Sequence, residues 1–318
     1  MTPRLIYEED ILKNGFESRV ILLRDDYQGS ARSVIIRRLC PEKSKKAVLY
    51  IHGFNDYFFQ SGMAEEFNRN GYNFYALDLR RYGRSLEQGD KPYTVTDIRS
   101  YFEEINAAIS IMTSEGNETI ILNGHSTGGL ILTLFAKDNA VKECFDALIL
   151  NSPFFRFNLN WMQRNMMPAG ALIGKFFPRL KVKSRFNTRY GKSLHKDYSG
   201  EWDYDLRLKP NDVPKVELGW IRAIYSAQKE LKKKFYILQP VLVMYSACSI
   251  SSPSDMNSLQ SADAVLNIQD IKKIASNMIG DVETVAFEDG MHDLLLSRKS
   301  VRKKVYETIF EWLKVRYL

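Results

Sequence analysis

TIILNGHSTGGLILTLFAKD, residues 119–138, sets a short apolar run directly before Gly124-His125-Ser126-Thr127-Gly128 and a second apolar run directly after it. Thr119–Leu122 predicts a strand buried on both faces, and the stretch from about Ser126 to Asp138 predicts a helix. Gly-x-Ser-x-Gly between a strand and a helix has a mechanical reading. A sharp reversal forces the apex residue into a strained backbone conformation and lifts its side chain clear of the sheet. Glycine on either side lets the two backbones pass closely. Ser126 would also sit at a helix N-terminus, where free N–H groups favour developing negative charge. A bare Gly/Ser turn of this spacing arises by chance, and the flanking strand and helix are what make Ser126 the expected nucleophile.

Working outward, strands and helices alternate. Ala47–Ile51, Tyr72–Leu77 and Ala147–Leu150 read as buried strands, with helices expected at about Gly62–Asn70 and over Asp97–Thr113, where Asp97 is a first-turn acid. Upstream, Glu17–Arg24 and Ala31–Leu39 flank the turn-like DDYQGS and predict an antiparallel pair at a sheet edge. The alternation stops from about Pro153 to Leu238 and resumes with Val241–Tyr245, Glu283–Phe287 and a helix from about Lys299 to Arg316. This pattern predicts an α/β fold: a mostly parallel central sheet with helices on both faces, interrupted by a mainly helical insertion. The expected division is a core of 1–152 and 239–318 with a cap of 153–238.

Acyl transfer needs two N–H donors for the tetrahedral oxyanion. One is expected from Thr127, after the nucleophile, and the other from Phe54 in the His52-Gly53-Phe54 loop that ends Ala47–Ile51. His52 is expected to brace that loop. The base should follow the last core strand, and of four histidines only His292, in EDGMHD (288–293), does so. The acid should follow Val241–Tyr245, where Asp255 and Asp263 are both available.

Hydrophobic residues make up 45% and charged residues 26% of the 318, enough for a sizeable core without a metal or disulfide framework. Three scattered cysteines, four histidines and no C-x-x-C leave little for metal chemistry, so no metal or other cofactor is expected, and a reducing, cytoplasmic setting fits. The N-terminal stretch lacks a signal-peptide pattern, and no window approaches the ~18 apolar residues of a spanning helix. The net charge of +7 is more than accounted for by eight Lys/Arg without Asp or Glu in 175–196: Lys175, Arg179, Lys181, Lys183, Arg185, Arg189, Lys192 and Lys196. The stretch adjoins the oily NMMPAGALIGKFFP (165–178). That pairing suits peripheral contact with anionic lipid, or else a solvated face; no nucleic-acid reading motif accompanies it. Phe58, Phe59, Phe154 and Trp161 are candidates for an apolar acyl pocket, with Phe155, Phe157, Met162, Met166 and Met167 beside them, unless they form cap core.

The segments YIHGF, ALDLRRYGRS, LNGHSTGG, SADAVL and DGMHD together resemble the α/β-hydrolase superfamily. More narrowly they resemble its monoacylglycerol lipase and lysophospholipase-like branch, which includes the serine aminopeptidase-type hydrolases. The resemblance covers most of 30–155 and 240–318. It implies that Asp263, in SADAVL, fills the place of the acid in the family's Gly-Ser-x-Asp, that Asp78 is structural, and that the insertion is a helical cap. Arg81 stands where the family has Gly, and Asp56-Tyr57 where it often has Glu-His. The implied activity is hydrolysis of a small-molecule carboxylic ester, such as a monoacylglycerol or lysophospholipid-like acyl ester, through a Ser-His-Asp triad and an acyl-enzyme. A peptidase or amidase on the same triad and a non-catalytic binding protein are the alternatives. Serine at the elbow excludes the dehalogenase and epoxide hydrolase chemistries, which need Asp there.

Overall fold

A computed structural model describes residues 6–139, 144–183, 188–213, 215–250 and 255–318. Their main feature is a nine-stranded sheet: β1 (Glu8–Glu9), β2 (Glu17–Asp26), β3 (Gly29–Arg38), β4 (Lys46–Ile51), β5 (Tyr72–Asp78), β6 (Thr119–His125), β7 (Ala147–Asn151), β8 (Val241–Ser246) and β9 (Val282–Phe287). Its spatial order is β1-β2-β3-β5-β4-β6-β7-β8-β9. The expected edge pair is present, with β2 and β3 antiparallel and Val20 opposite Val34. From β5 through β9 every neighbouring pair is parallel, for example Leu49 opposite Leu122 and Val243 opposite Leu150.

The continuous apolar strands are explained by cover on both faces. On one face Leu49, Tyr75, Leu122 and Leu150 pack with α2 (Phe102–Ser114) and α3 (Thr127–Asp138). On the other, Val48, Phe74, Ile121 and Leu242 pack with α1 (Ser61–Arg69) and the C-terminal helix Lys299–Val315. Adjacent strand residues point to opposite faces, so each strand feeds both cores. Asp97 lies just outside a 3₁₀ turn, Ile98–Tyr101, and caps it through a bond from the Arg99 N–H, rather than standing in the first turn of one continuous helix.

Between β7 and β8 the chain leaves the sheet. It forms α4 (Trp161–Phe176), α5 (Thr188–Leu194) and α6 (Leu218–Glu230), with short strand pairings at Lys181–Val182 with Val216–Glu217 and Phe235–Tyr236 with Met278–Ile279. Helix α4 rests on α6 through small residues: a Cβ on Gly174 would come within 2.5 Å of the Leu218 carbonyl oxygen. A helix absent from the sequence reading, α7 (Ile268–Ala275), covers β8 before β9, and Lys299–Val315 is α8. Among the described residues no helix is long and apolar enough to cross a membrane.

Candidate active site

Strand β6 ends at His125 and α3 begins at Thr127, so Ser126 alone makes the reversal, at φ +51° and ψ −113°. Only surrounding structure holds a non-glycine residue there. The Ser126 N–H donates to the Asn151 carbonyl at 3.0 Å, and the Ser126 carbonyl accepts from the N–H groups of Phe154 (2.9 Å) and Leu130 (3.1 Å). The glycines are sterically required. A Cβ on Gly124 would lie 2.8 Å from the Gly128 carbonyl group, and one on Gly128 would run into the carbonyl oxygens of Ile51 and His52.

Ser126 Oγ lies 3.0 Å from His292 Nε2, and His292 Nδ1 lies 3.0 Å from Asp263 Oδ2. All three residues are buried. The carboxylate fixes the tautomer: Nδ1–H donates to Asp263, leaving Nε2 to accept from the serine hydroxyl. The other Asp263 oxygen accepts from the N–H groups of Val265 (2.8 Å) and Leu266 (2.7 Å). Asp263 reaches this point although twelve residues separate it from Ile250, because the excursion closes on itself. Ser249 and Asp263 form a parallel bridge, the Asp263 N–H donates to the Cys248 carbonyl, and the Ile250 N–H donates to the Asp263 carbonyl. Asp255 is elsewhere: exposed, it caps the turn Met256–Leu259 by accepting from the Ser258 N–H at 2.8 Å.

The Gly53-Phe54 backbone passes against Ser126, since a Cβ on Gly53 would lie 3.2 Å from Ser126 Cβ. The Phe54 ring packs on Tyr93 and Trp220. His52 is wholly buried; Nδ1 donates to the Gly53 carbonyl at 2.7 Å and Nε2 accepts from the Leu79 N–H at 3.1 Å, and burial holds its pKa low. It ties this loop to the end of β5. Asp78 accepts from the Phe58 N–H and pairs with Arg84 at 2.9 Å. Arg81, where the family has Gly, takes a φ of +65°, and its guanidinium pairs with Asp26 and Asp90.

A small cavity of about 70 Å³ opens over Ser126 and His292. Its lining is more polar than the sequence suggested: Asp56, His125, Asp293, Tyr190 and Lys209 join Phe54 and Val265. None of the residues expected in an acyl pocket, Phe58, Phe59, Phe154 and Trp161, lines it. Phe58 points to the opposite side of the sheet, among Phe16, Tyr50 and Phe74. Phe59 packs with Tyr57 and Tyr204, Phe154 packs on Phe157, and Trp161 is 80% exposed at the start of α4.

Asp56, His125 and Asp293 place ligand-type atoms within 4.8 Å of one another. Their oxygens already have partners: Lys209 Nζ lies 2.6 Å from Asp56, and Asp293 accepts from Asn151 and Gln60. Burial raises the Asp293 pKa, whereas burial and then the neighbouring His292 push His125 down to about 3. Asp293 is foreshadowed by its place beside His292. Tyr190 and Lys209 have no local sequence signal.

In fold, the chain is similar to a soluble variant of monoglyceride lipase from Saccharomyces cerevisiae in complex with a substrate analogue (19% identity over 93% of this chain and 95% of that one, TM-score 0.67). It is also similar to a monoacylglycerol lipase of Paleococcus ferrophilus (15%, 93% and 98%, 0.63) and to a thermostable carboxyl esterase of Bacillus coagulans (14%, 93% and 98%, 0.64). A search of curated proteins gave no match. The family model described as serine aminopeptidase, S33, matches residues 42–299, most of the chain, and with the nucleophile-elbow fold above it assigns the protein to that family of α/β hydrolases.

Proposed function

We propose that the protein hydrolyses carboxylic esters through an acyl-enzyme on Ser126. The observation that carries this is the unbroken relay Ser126 Oγ–His292–Asp263, with 3.0 Å at each step. His292 Nε2 takes the hydroxyl proton as Oγ attacks the ester carbonyl, then returns it to the departing alkoxide. Asp263 holds the tautomer and stabilises the imidazolium. The N–H groups of Thr127 and Phe54 bind the oxyanion, worth roughly 3 kcal/mol per donor in comparable sites. Water then repeats the sequence on the acyl-enzyme. No step calls for a cofactor. Ser126→Ala is expected to abolish both turnover of p-nitrophenyl esters and labelling by a fluorophosphonate, with the melting temperature retained. Activity above about a hundredth of wild type in the pure variant would overturn the assignment, because removing a triad member costs far more.

The substrate class we favour is a small acyl ester of the monoacylglycerol or lysophospholipid kind. Fold likeness to monoglyceride lipases supports it. We assign 1–152 and 239–318 to the catalytic core and 153–238 to a cap: none of the nine sheet strands lies in 153–238, and Tyr190, Leu194, Tyr204 and Lys209 from it roof the cavity. A screen of acyl chain lengths from acetate to palmitate tests the substrate class. The three scattered cysteines support a reducing, cytoplasmic setting.

The cap is also the proposed contact with anionic lipid. Met162, Met166, Leu172, Ile173, Phe176, Phe177 and Leu180 are exposed beside exposed Lys175, Arg179, Lys181 and Lys183. Exposed oily side chains interleaved with cations along the chain suit a negatively charged bilayer surface, each cation adding about 1 kcal/mol. Within 175–196, Arg185 lies outside the described residues, while Lys196 is taken up by Asp203 at 2.6 Å. Sedimentation with anionic and neutral vesicles tests the contact. Binding to anionic vesicles that weakens with salt is expected, and equal, negligible binding to both would overturn it.

A further inference from the structure

The loop that runs over Ser126 is gripped, residue by residue, by one turn of the insertion. Asn55 sits at φ +52°; its Nδ2 donates to the Pro210 carbonyl at 2.8 Å and its Oδ1 accepts from Tyr93 OH at 2.7 Å. Asp56 Oδ1 is 2.6 Å from Lys209 Nζ, and the Tyr57 hydroxyl accepts from the Asp205 N–H at 2.8 Å. Lys209 is itself built in. It is nine-tenths buried, its ammonium lies over the rings of Phe59 (5.0 Å) and Tyr204 (5.4 Å), and its N–H donates to the Asp205 carbonyl, closing the turn. These contacts join segments about 150 residues apart in sequence. They converge on the three residues that follow Gly53-Phe54, whose backbone touches the nucleophile.

A left-handed asparagine and a buried carboxylate are both costly unless held from outside. The 205–210 turn therefore holds the middle of the loop, between the His52 and Asp78 bonds that tie its two ends. We propose that Lys209 is a positioning residue for the oxyanion site: through Asp56 it fixes the Gly53-Phe54 backbone over Ser126. The insertion then completes the catalytic machinery in addition to roofing the cavity. This inference rests on the ester-hydrolase reading above.

The test compares Lys209→Met, Lys209→Arg and the double variant Asp56→Asn/Lys209→Met on a p-nitrophenyl ester. The double variant removes the link without stranding a buried charge, so it reads out even where Lys209→Met alone folds poorly. Misplacing a catalytic group by an ångström costs up to about 100-fold, so a loss of about tenfold or more in kcat with KM little changed is expected for the double variant. Lys209→Arg, which restores a cation to Asp56, should recover most of that loss. A trifluoromethyl ketone, which forms an oxyanion on the serine, reports the site directly. Its inhibition constant should rise by the same factor as kcat/KM falls, which a general loss of stability would not produce. A double variant with kcat reduced by less than about fivefold, or one whose loss lies in KM with ketone affinity unchanged, would overturn the proposal. Ser126→Ala run alongside separates the two failures. Turnover surviving in that variant overturns the triad reading and this inference together. Turnover lost there but kept in the Lys209 variants overturns this inference alone.

Discussion

Asp255 and Asp263 both follow the strand that ends at Ser246, nine and seventeen residues beyond it, and geometry divides them. Asp263 reaches His292 Nδ1 at 3.0 Å; Asp255 is exposed and caps a turn. Asp263→Asn is expected to lose roughly 10⁴-fold in kcat, because an amide favours the wrong imidazole tautomer, whereas Asp255→Asn should stay within a few-fold of wild type. Steady-state kinetics on one ester ranks the two, and the reverse ranking would refute the assignment. A second prediction concerns His125 and His52, both held neutral by burial. Below the unfolded value of 6.5 the unfolded chain binds a proton at each site that the native protein does not, so stability is full above that pH and is lost on acidification. For His125 the loss runs from 6.5 down to about 3, at up to about 1.4 kcal/mol per pH unit. Denaturant midpoints between pH 7 and 5 should therefore fall on acidification, and should fall less steeply in His125→Gln. An unchanged slope in that variant would remove the claim.

At the scale of elements, the elbow is a joint with no room for a side chain at its glycines. Gly128→Ala forces a methyl group into the Ile51 and His52 carbonyls, within 2.6 Å of the latter. Overpacking of this kind costs about 1–3 kcal/mol, so the variant should melt several degrees lower and lose activity out of proportion to its stability, since the same shift moves Ser126. Calorimetry with an esterase assay checks both. The elbow was legible in sequence because its constraints are local: strand, reversal and helix lie within twenty residues. The same holds for the buried strands, whose apolar runs follow from cover on both faces. Helix α7 carried a periodic signal in Ile268, Ile271 and Ile274, but its eight residues are too short to stand out from the loop around them. Phe58 and Phe59 show the opposite limit. Neighbouring residues of one type face different sides of the chain, and composition says nothing about which side holds the cavity.

Over the whole molecule, the parts that sequence hid are those made by distant contacts. Lys209 meets Asp56 across 153 positions. Trp161, Met162 and Met166 of α4 read as pocket or core, yet they are exposed, because a sequence pattern does not say whether an oily face meets protein, lipid or water. Phe176→Ser with Phe177→Ser should weaken binding to anionic vesicles about tenfold or more, if each buried aromatic ring contributes 1.5 kcal/mol or above. It should leave hydrolysis of a water-soluble ester within about twofold; unchanged vesicle binding would return that face to a plain solvated surface. The bridge between Ser249 and Asp263 has a use of its own. It staples Asp263 to the chain just beyond β8, so the carboxylate takes its bearing from the edge of the sheet. The excursion has work of its own: beyond the staple Leu259 is fully buried and Gln260 Nε2 donates to the carbonyls of Ser193 and Ser199, so the stretch of chain that leads to the acid also serves as a hinge-pin for the insertion.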